Sequence, residues 1–83
     1  MFEILITKQA KKDIEKLTPK NKQKVKDLIL NVIIKNPYSG KKLIGDLKGY
    51  YSIRLNIKDR IVYKIDEKNK IIYIMMCKTH YQD

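Results

Sequence analysis

Apolar residues near the start of the chain follow two different periods. Over residues 2–6 they recur in steps of two, which predicts a short β-strand. Thr7 follows this segment and has a hydroxyl that can cap a helix. The next apolar positions are spaced four and three residues apart and are Ala10, Ile14 and Leu17. This spacing predicts an amphipathic helix with one narrow apolar face.

A second helix is predicted by the strongest periodic pattern in the sequence. Thr18-Pro19 ends the first helical pattern, and a helix of about 15 residues is expected from Asn21 onward. Its apolar stripe consists of Val25, Leu28, Ile29, Val32 and Ile33. The pattern ends at Asn36-Pro37, because the α region is disfavoured for a residue that precedes proline.

The second half of the chain changes to a period of two. Residues 37–49 resemble a loop, since all three glycines of the protein lie in this segment. Strands are then predicted over residues 51–55, 60–65 and 71–78, with short polar connections at 56–59 and 66–70. The last of these strands is apolar on both faces, which favours an interior place in the sheet.

The predicted element order is therefore β, α, α, β, β, β. Two amphipathic helices packed on a mostly antiparallel four-stranded sheet make an α+β domain of two layers, which we expect to span residues 1–83 as a single domain. One face of the sheet packs on the helices, and the other face is free for binding. The sequence has no glycine-rich phosphate loop and no G-x-S-x-G motif, which argues against nucleotide hydrolases and serine hydrolases.

The net charge of the chain indicates which class of partner to expect. It carries 19 Lys and Arg against 9 Asp and Glu, a net charge of +10. A field of this sign attracts polyanions, with nucleic acid first and an acidic protein second, although a lysine-rich surface without a specific partner is the alternative. No apolar run approaches the ~20 residues that cross a membrane, and the apolar start is too short for a signal peptide, so we expect a cytoplasmic protein. Cys77 and His80 are two zinc ligands out of four, so neither a metal nor another cofactor is expected.

The chemically informative residues are two strand arginines and the end of the chain. Arg54 and Arg60 lie in successive predicted strands, and His80 and Tyr81 follow the last strand. RNA can be cleaved without a metal when its own 2′-hydroxyl attacks the adjacent phosphate. That reaction needs a group to accept the 2′-hydroxyl proton, a group to protonate the departing 5′-oxygen, and positive charge for the phosphorane.

The residue types fit these roles, but each has an ordinary structural explanation as well. Arginine offers a planar fork of donors to a phosphate, and histidine is a good proton donor near neutral pH. Tyrosine can stack on a base or position a phosphate. Taken singly, a terminal histidine is more often an inert surface residue, strand arginines are often solvated charges, and Cys77 is expected to be a small buried hydrophobe.

Three pieces of the sequence resemble the RelE/ParE superfamily of toxins from bacterial and archaeal toxin–antitoxin modules. They are GDLKGYYSIR at residues 45–54, DRIVYKI at residues 59–65 and THY at residues 79–81. They resemble, in this order, the family patterns G-D-L-S-G-x-[YW]-S-R-R and H-R-L-V-Y-x-V and a terminal His-Tyr. The resemblance covers roughly the second half of the chain and is closest to the YoeB/Txe branch.

This resemblance implies a metal-independent endoribonuclease that cleaves mRNA codons in the decoding site of the ribosome and halts translation. By position it implies that Arg60 stabilises the phosphorane, that His80 is the general acid and that Tyr81 orients the substrate. Arg54 matches the second arginine of the S-R-R element. The resemblance also implies a cognate antitoxin of the YefM/Phd-like or RelB-like type, and it is compatible with a homodimer or a toxin–antitoxin hetero-oligomer.

The chain departs from the family pattern at two positions. Ile53 replaces the first arginine of the S-R-R element, and Lys41 stands where the family has the glutamate that acts as general base. Lysines surround the scissile phosphate in the RelE branch, so Lys41 or Lys42 is expected to bind phosphate here; otherwise His80 acts alone or the enzyme is slow. Two alternatives stay open, and the second of them follows from these departures. One is a ParE-like gyrase inhibitor, which would not need the terminal His-Tyr pair, and the other is a degenerate toxin that keeps antitoxin binding.

Overall fold

The structure is a computed structural model, and it describes residues 1–79 of the chain. The strands are β1 (Glu3–Ile6), β2 (Lys41–Lys42), β3 (Tyr50–Arg54), β4 (Asp59–Asp66) and β5 (Ile71–Thr79). The helices are α1 (Lys8–Glu15) and α2 (Pro19–Leu28), and α2 continues as a π-helical turn over Ile29–Ile33. Two 3₁₀ turns flank β2 and are Pro37–Ser39 and Gly45–Leu47.

Threonine hydroxyls begin both helices. The Oγ1 atom of Thr7 accepts a hydrogen bond from the backbone N–H of Ala10, and that of Thr18 accepts one from Asn21, both at 3.2 Å. Each bond satisfies one of the N–H groups that a helix start leaves without an intrahelical partner. Pro19 occupies the first turn of α2, where its missing N–H costs nothing. The predicted start of the first helix after Thr7 is confirmed, whereas the second helix begins at Pro19, before the predicted start at Asn21, because Thr18 caps it.

The five strands form one mixed sheet in the order β1-β5-β4-β3-β2. β1 runs parallel to β5, and the other neighbouring pairs are antiparallel. β5 lies between β1 and β4, as its apolar residues on both faces predict. The register between β4 and β5 shifts next to Val62, which pairs with Met76, while Tyr63 pairs with Ile74. Met75 is therefore an extra residue of β5, a β-bulge.

Both helices pack on one face of this sheet. The buried core consists of Ala10, Val25, Ile29, Ile33, Leu55, Ile61, Tyr63, Ile72, Ile74 and Cys77. The register places Ile61 between Ile53 and Cys77, so these neighbours share the helix-covered face. The opposite face, which we call the open face, carries Tyr50, Ser52, Arg54, Arg60, Val62, Lys64 and Tyr73.

The predicted α+β class, with two helices packed on a mostly antiparallel sheet, is confirmed, but the number of strands is different. The sheet has a fifth strand, β2, inside the segment predicted as a loop. This strand consists of two exposed lysines and therefore has no hydrophobic pattern. It forms because its backbone pairs with β3. The pairing extends beyond the strand through a hydrogen bond from the N–H of Leu43 to the carbonyl of Tyr50 at 2.9 Å. In residues 1–79, no helix has the length and apolar character needed to cross a membrane.

Candidate functional site

Arg54 and Arg60 face each other on the open face. They are direct cross-strand partners at the ends of β3 and β4, where the two strands join. Nη1 of Arg60 contacts the hydroxyl of Ser52 at 3.5 Å, and Nη1 of Arg54 donates to the carbonyl of Ile57 at 3.3 Å. Both acceptors are neutral, so these contacts leave the positive charge of the pair intact. Like charges directly opposite each other destabilise a sheet, so this pair suits a surface that binds an anion.

The turn between β3 and β4 fixes the ends of the strands that carry the arginines. The side-chain carbonyl of Asn56 accepts hydrogen bonds from the N–H groups of Lys58 and Asp59, at 2.8 and 2.7 Å. The N–H of Leu55 donates to the carbonyl of Asp59 at 2.9 Å. Asparagine favours such turns because its side chain bonds to the backbone that follows it. These hydrogen bonds therefore fix the backbone of the turn that joins the two arginine-bearing strand ends.

The register of β2 separates the two candidate lysines. Lys41 pairs with Ser52 and Lys42 pairs with Tyr51. Side chains of a strand alternate between the faces, so Lys41 lies on the open face with Ser52 and the arginines, and Lys42 lies on the helix-covered side. The fold thus brings Lys41 together with Arg54 and Arg60, and it does not bring Lys42 to them.

The segment that leads into β2 is held by Tyr63. The hydroxyl of this buried residue donates a hydrogen bond to the carbonyl of Pro37 at 2.7 Å. Burial raises the pKa of Tyr63 to about 12, and its ring stacks on that of Tyr51 with centroids 5.7 Å apart. Gly40 lies against the same hydroxyl, where a Cβ atom would collide with it. Sequence reasoning did not find this support for Lys41, although the glycine directly before β2 is a usable signal.

His80 and Tyr81, the predicted general acid and substrate-orienting residue, lie outside the described residues. The strand that leads to them is described, and its register pairs Thr79 with Asp59 and residue 78 with Arg60. The chain therefore reaches residue 80 from a point beside the strand end that carries Arg60. Whether these side chains meet the arginines stays a prediction.

The last part of β5 is held by α1, beyond the point at which β1 ends. The hydroxyl of Thr7 donates to the carbonyl of Ile74 at 2.9 Å, and Oδ2 of Asp13 accepts a hydrogen bond from the N–H of Cys77 at 3.0 Å. A carboxylate thus takes the place of a neighbouring strand. Nothing in the sequence pattern around Asp13 indicates this role, since it reads as one of many charges on a helix surface.

Cys77 is a buried thiol, as predicted. It is 2% exposed, and burial raises its pKa to about 12. A thiol held in its neutral form is neither a good nucleophile nor a good metal ligand. Within residues 1–79, no three His, Cys, Asp or Glu side chains are grouped so that they could hold a metal ion.

Comparison with known proteins adds to this geometry. The family described as "ParE-like toxin of type II bacterial toxin-antitoxin system" matches residues 4–82. Toxin YoeB from Synechocystis sp. is 33% identical over 60 residues, which are 68% of this chain and 67% of that protein.

Solved structures of toxins share the fold over nearly the whole chain. The YoeB/ParE toxin from Agrobacterium tumefaciens has a TM-score of 0.85 at 26% identity and covers 96% of this chain and 100% of its own. The heterotetrameric YoeB–YefM complex from Staphylococcus aureus has a TM-score of 0.77 at 31% identity, with 98% and 99% covered. The toxin–antitoxin complex RelBE2 from Mycobacterium tuberculosis has a TM-score of 0.84 at 25% identity, with 95% and 98% covered.

Proposed function

This chain belongs to the ParE-like toxin family of type II bacterial toxin–antitoxin systems, and we propose that it is a YoeB-like endoribonuclease that cleaves mRNA in the decoding site of the ribosome. The observation that carries the proposal is the arginine pair of the open face. The pair lies at the end of β4 where Asp59 is paired with Thr79, the residue that precedes His80 in the sequence. A gyrase inhibitor would need neither Arg60 nor the terminal His-Tyr pair. The cytoplasmic location expected from the sequence stays a prediction.

In the proposed reaction, the 2′-oxygen of one nucleotide attacks the phosphorus that follows it. The bond from phosphorus to the 5′-oxygen breaks, and a 2′,3′-cyclic phosphate remains on the upstream piece. Arg60 stabilises the negative charge of the phosphorane, because its guanidinium can donate two parallel hydrogen bonds to phosphate oxygens. His80 gives its proton to the departing 5′-oxygen, and Tyr81 orients the substrate nucleotide. Arg54 adds positive charge from the facing strand.

Lys41 stands at the position of the family's glutamate and supplies charge in place of a base. Its place on the open face, across from Ser52, brings an ammonium group toward the same phosphate as Arg60. In this scheme neutral His80 takes the 2′-hydroxyl proton and then gives that proton to the departing 5′-oxygen, and cleavage is correspondingly slow. Lys42 projects from the other side of β2, so Lys42→Ala is a matched control for Lys41→Ala: the same charge is removed from the neighbouring residue.

The cognate antitoxin is the proposed partner, and its charge should complement the open face. Two of the structural relatives are toxin–antitoxin complexes, one with YefM and one with RelB. A third is a YoeB dimer from Staphylococcus aureus, which has a TM-score of 0.78 at 32% identity. We therefore propose a toxin–antitoxin hetero-oligomer as the resting state, with a toxin homodimer as the free form.

The test is to induce the protein in a bacterial host and map the 5′ ends of mRNA. Cuts inside the codons of translated messages support the proposal. DNA breaks that depend on gyrase, with intact mRNA, would instead establish the gyrase inhibitor. Growth unaffected by induction, together with antitoxin binding, would establish a degenerate toxin.

His80→Gln is the control for the chemistry. It removes the proton donor, so cleavage should slow by about 10²- to 10⁴-fold. We expect the stability of this variant to match that of the wild type, and thermal melts of both proteins check this. Growth arrest by His80→Gln as strong as that of the wild type refutes the assignment of the general acid.

A further inference from the structure

A second cationic group stands on the open face, at the other end of β4 from Arg60. The register places Lys64 between Tyr50 of β3 and Tyr73 of β5. These three side chains form a row across three strands, which we call the tyrosine–lysine row. Nζ of Lys64 lies 5.3 Å from the centroid of the Tyr73 ring, a cation–π contact that holds the ammonium group above the sheet.

On β3 and β4 the row is separated from the arginine pair by a buried, uncharged strip, and Lys41 lies at the β2 end of this strip. Lys64 and Arg60 are four residues apart on one strand, which corresponds to about 13 Å. Between them, Val62 and Ser52 are 4% and 6% exposed and carry no charge. A ligand with a single anionic group cannot reach both cations, whereas a strand of nucleic acid repeats a phosphate at every nucleotide.

We infer that the tyrosine–lysine row is a subsite for single-stranded RNA beyond the cleaved bond. Lys64 neutralises a phosphate that lies farther along the strand than the one next to the scissile phosphate, and Tyr50 offers a ring on which a neighbouring base stacks. Alternation of aromatic rings and cations is how proteins hold single strands without reading their sequence. The inference rests on the proposed function, because it takes Arg60 as the group that binds the scissile phosphate.

The test uses fluorescently labelled 2′-O-methyl RNA of three and of nine nucleotides, which cannot be cleaved because the attacking hydroxyl is blocked. Affinity is measured by anisotropy at several salt concentrations. Lys64→Ala should weaken binding of the nonamer several-fold and lower the salt slope of its affinity by about one. Tyr50→Ala should weaken the nonamer by about 5- to 150-fold through lost stacking. The trimer, which spans only the cleavage site, should be affected little by either change and strongly by Arg60→Ala.

Lys68→Ala is the matched control, because it removes the same charge from an exposed lysine in the turn between β4 and β5. Equal losses of nonamer affinity in Lys64→Ala and Lys68→Ala overturn the subsite, since the effect is then one of net charge. Equal losses for trimer and nonamer, or no binding of the nonamer to the wild type, also overturn it. If polyglutamate binds as tightly as the nonamer and loses as much on Lys64→Ala, the row is a site for an acidic peptide and the inference is wrong.

Different results would refute the RNA subsite and the proposed cleavage reaction. Cuts inside codons together with an unchanged nonamer affinity in Lys64→Ala refute the subsite alone. Loss of nonamer affinity without any codon cuts in cells refutes the cleavage reaction alone. Thermal melts of each variant establish that the protein remains folded, and Tyr73→Phe, which keeps the ring, should bind the nonamer like the wild type.

Discussion

The contact between Gly40 and Tyr63 leads to a quantitative prediction. Gly40 has φ −72° and ψ 171°, which is extended backbone that any residue adopts. Glycine is needed there for space. A Cβ atom would collide with the Tyr63 hydroxyl and lie 3.0 Å from the carbonyl oxygen of Ser52 and 3.2 Å from Cζ of Tyr63. Gly40→Ala should therefore destabilise the protein by overpacking and not by backbone strain.

The magnitudes follow from the contacts on each side of this methyl group. In Gly40→Ala, overpacking should lower the free energy of unfolding by about 1–3 kcal/mol. This loss is reduced by about 0.4–1 kcal/mol, because alanine restricts the unfolded chain more than glycine does. Tyr63→Phe alone removes the donor to Pro37 and should cost about 1–3 kcal/mol. In the double variant the hydroxyl is gone and the methyl group meets only the two longer contacts. The double variant should thus be more stable than the sum of the single changes by roughly 1–2 kcal/mol.

Thermal and urea unfolding followed by circular dichroism measures this cycle. For a domain of this size, 1 kcal/mol corresponds to about 4–8 °C in Tm. Gly45→Ala is the matched control, because Gly45 has φ 69° and nothing lies within 4 Å of the added Cβ. Its cost of about 1–2 kcal/mol arises from the left-handed backbone and should be the same with Tyr63 or Phe at position 63. If Gly40→Ala costs as much in the Tyr63→Phe background as in the wild type, the hydroxyl contact is not the reason for glycine here.

Three further predictions concern charge and burial. Lys41→Glu should slow cleavage of mRNA on programmed ribosomes, because it replaces the proposed phosphate-binding cation by an anion; faster cleavage would show that a carboxylate base is what the site lacks. Arg54→Gln should weaken RNA binding and leave the free energy of unfolding unchanged or raised by up to about 1 kcal/mol, because it removes a like charge opposite Arg60; a clear loss of stability in urea contradicts this. The thiol pKa of Cys77 is raised from 9.0 to about 12, so the unfolded chain loses this proton at lower pH than the folded protein does, and stability falls as pH rises from about 9 towards 12. Urea titrations across this range should show a shallower fall for Cys77→Ala.

The elements that the sequence predicts well are those determined by local chemistry. Thr7 caps the first helix through its own hydroxyl, and the period of the apolar residues gives the helices and the three long strands. The two faces of β3 follow from the alternation of apolar and polar residues along it. The same alternation sets Arg54 apart from the apolar residues of its strand, and the register then pairs it with Arg60.

The features that the sequence does not predict depend on pairing between distant segments. β2 forms because its backbone meets β3, and only this register separates Lys41 from Lys42, which are adjacent and chemically identical. Asp13 binds a backbone N–H in a strand 64 residues away, a contact that no local pattern encodes. Local reasoning therefore finds the candidate residues and leaves their grouping undecided.

The register also changes the meaning of the two departures from the family pattern. Ile53 replaces an arginine, but it pairs with Ile61 on the helix-covered face and packs against the core. An isoleucine there removes no charge from the open face, where Arg54 and Arg60 remain. Lys41 is the departure that does lie on the open face. The proposal of a degenerate toxin therefore depends on Lys41 and not on Ile53, and comparison of Lys41→Glu with Lys42→Glu isolates the consequence of charge on that face.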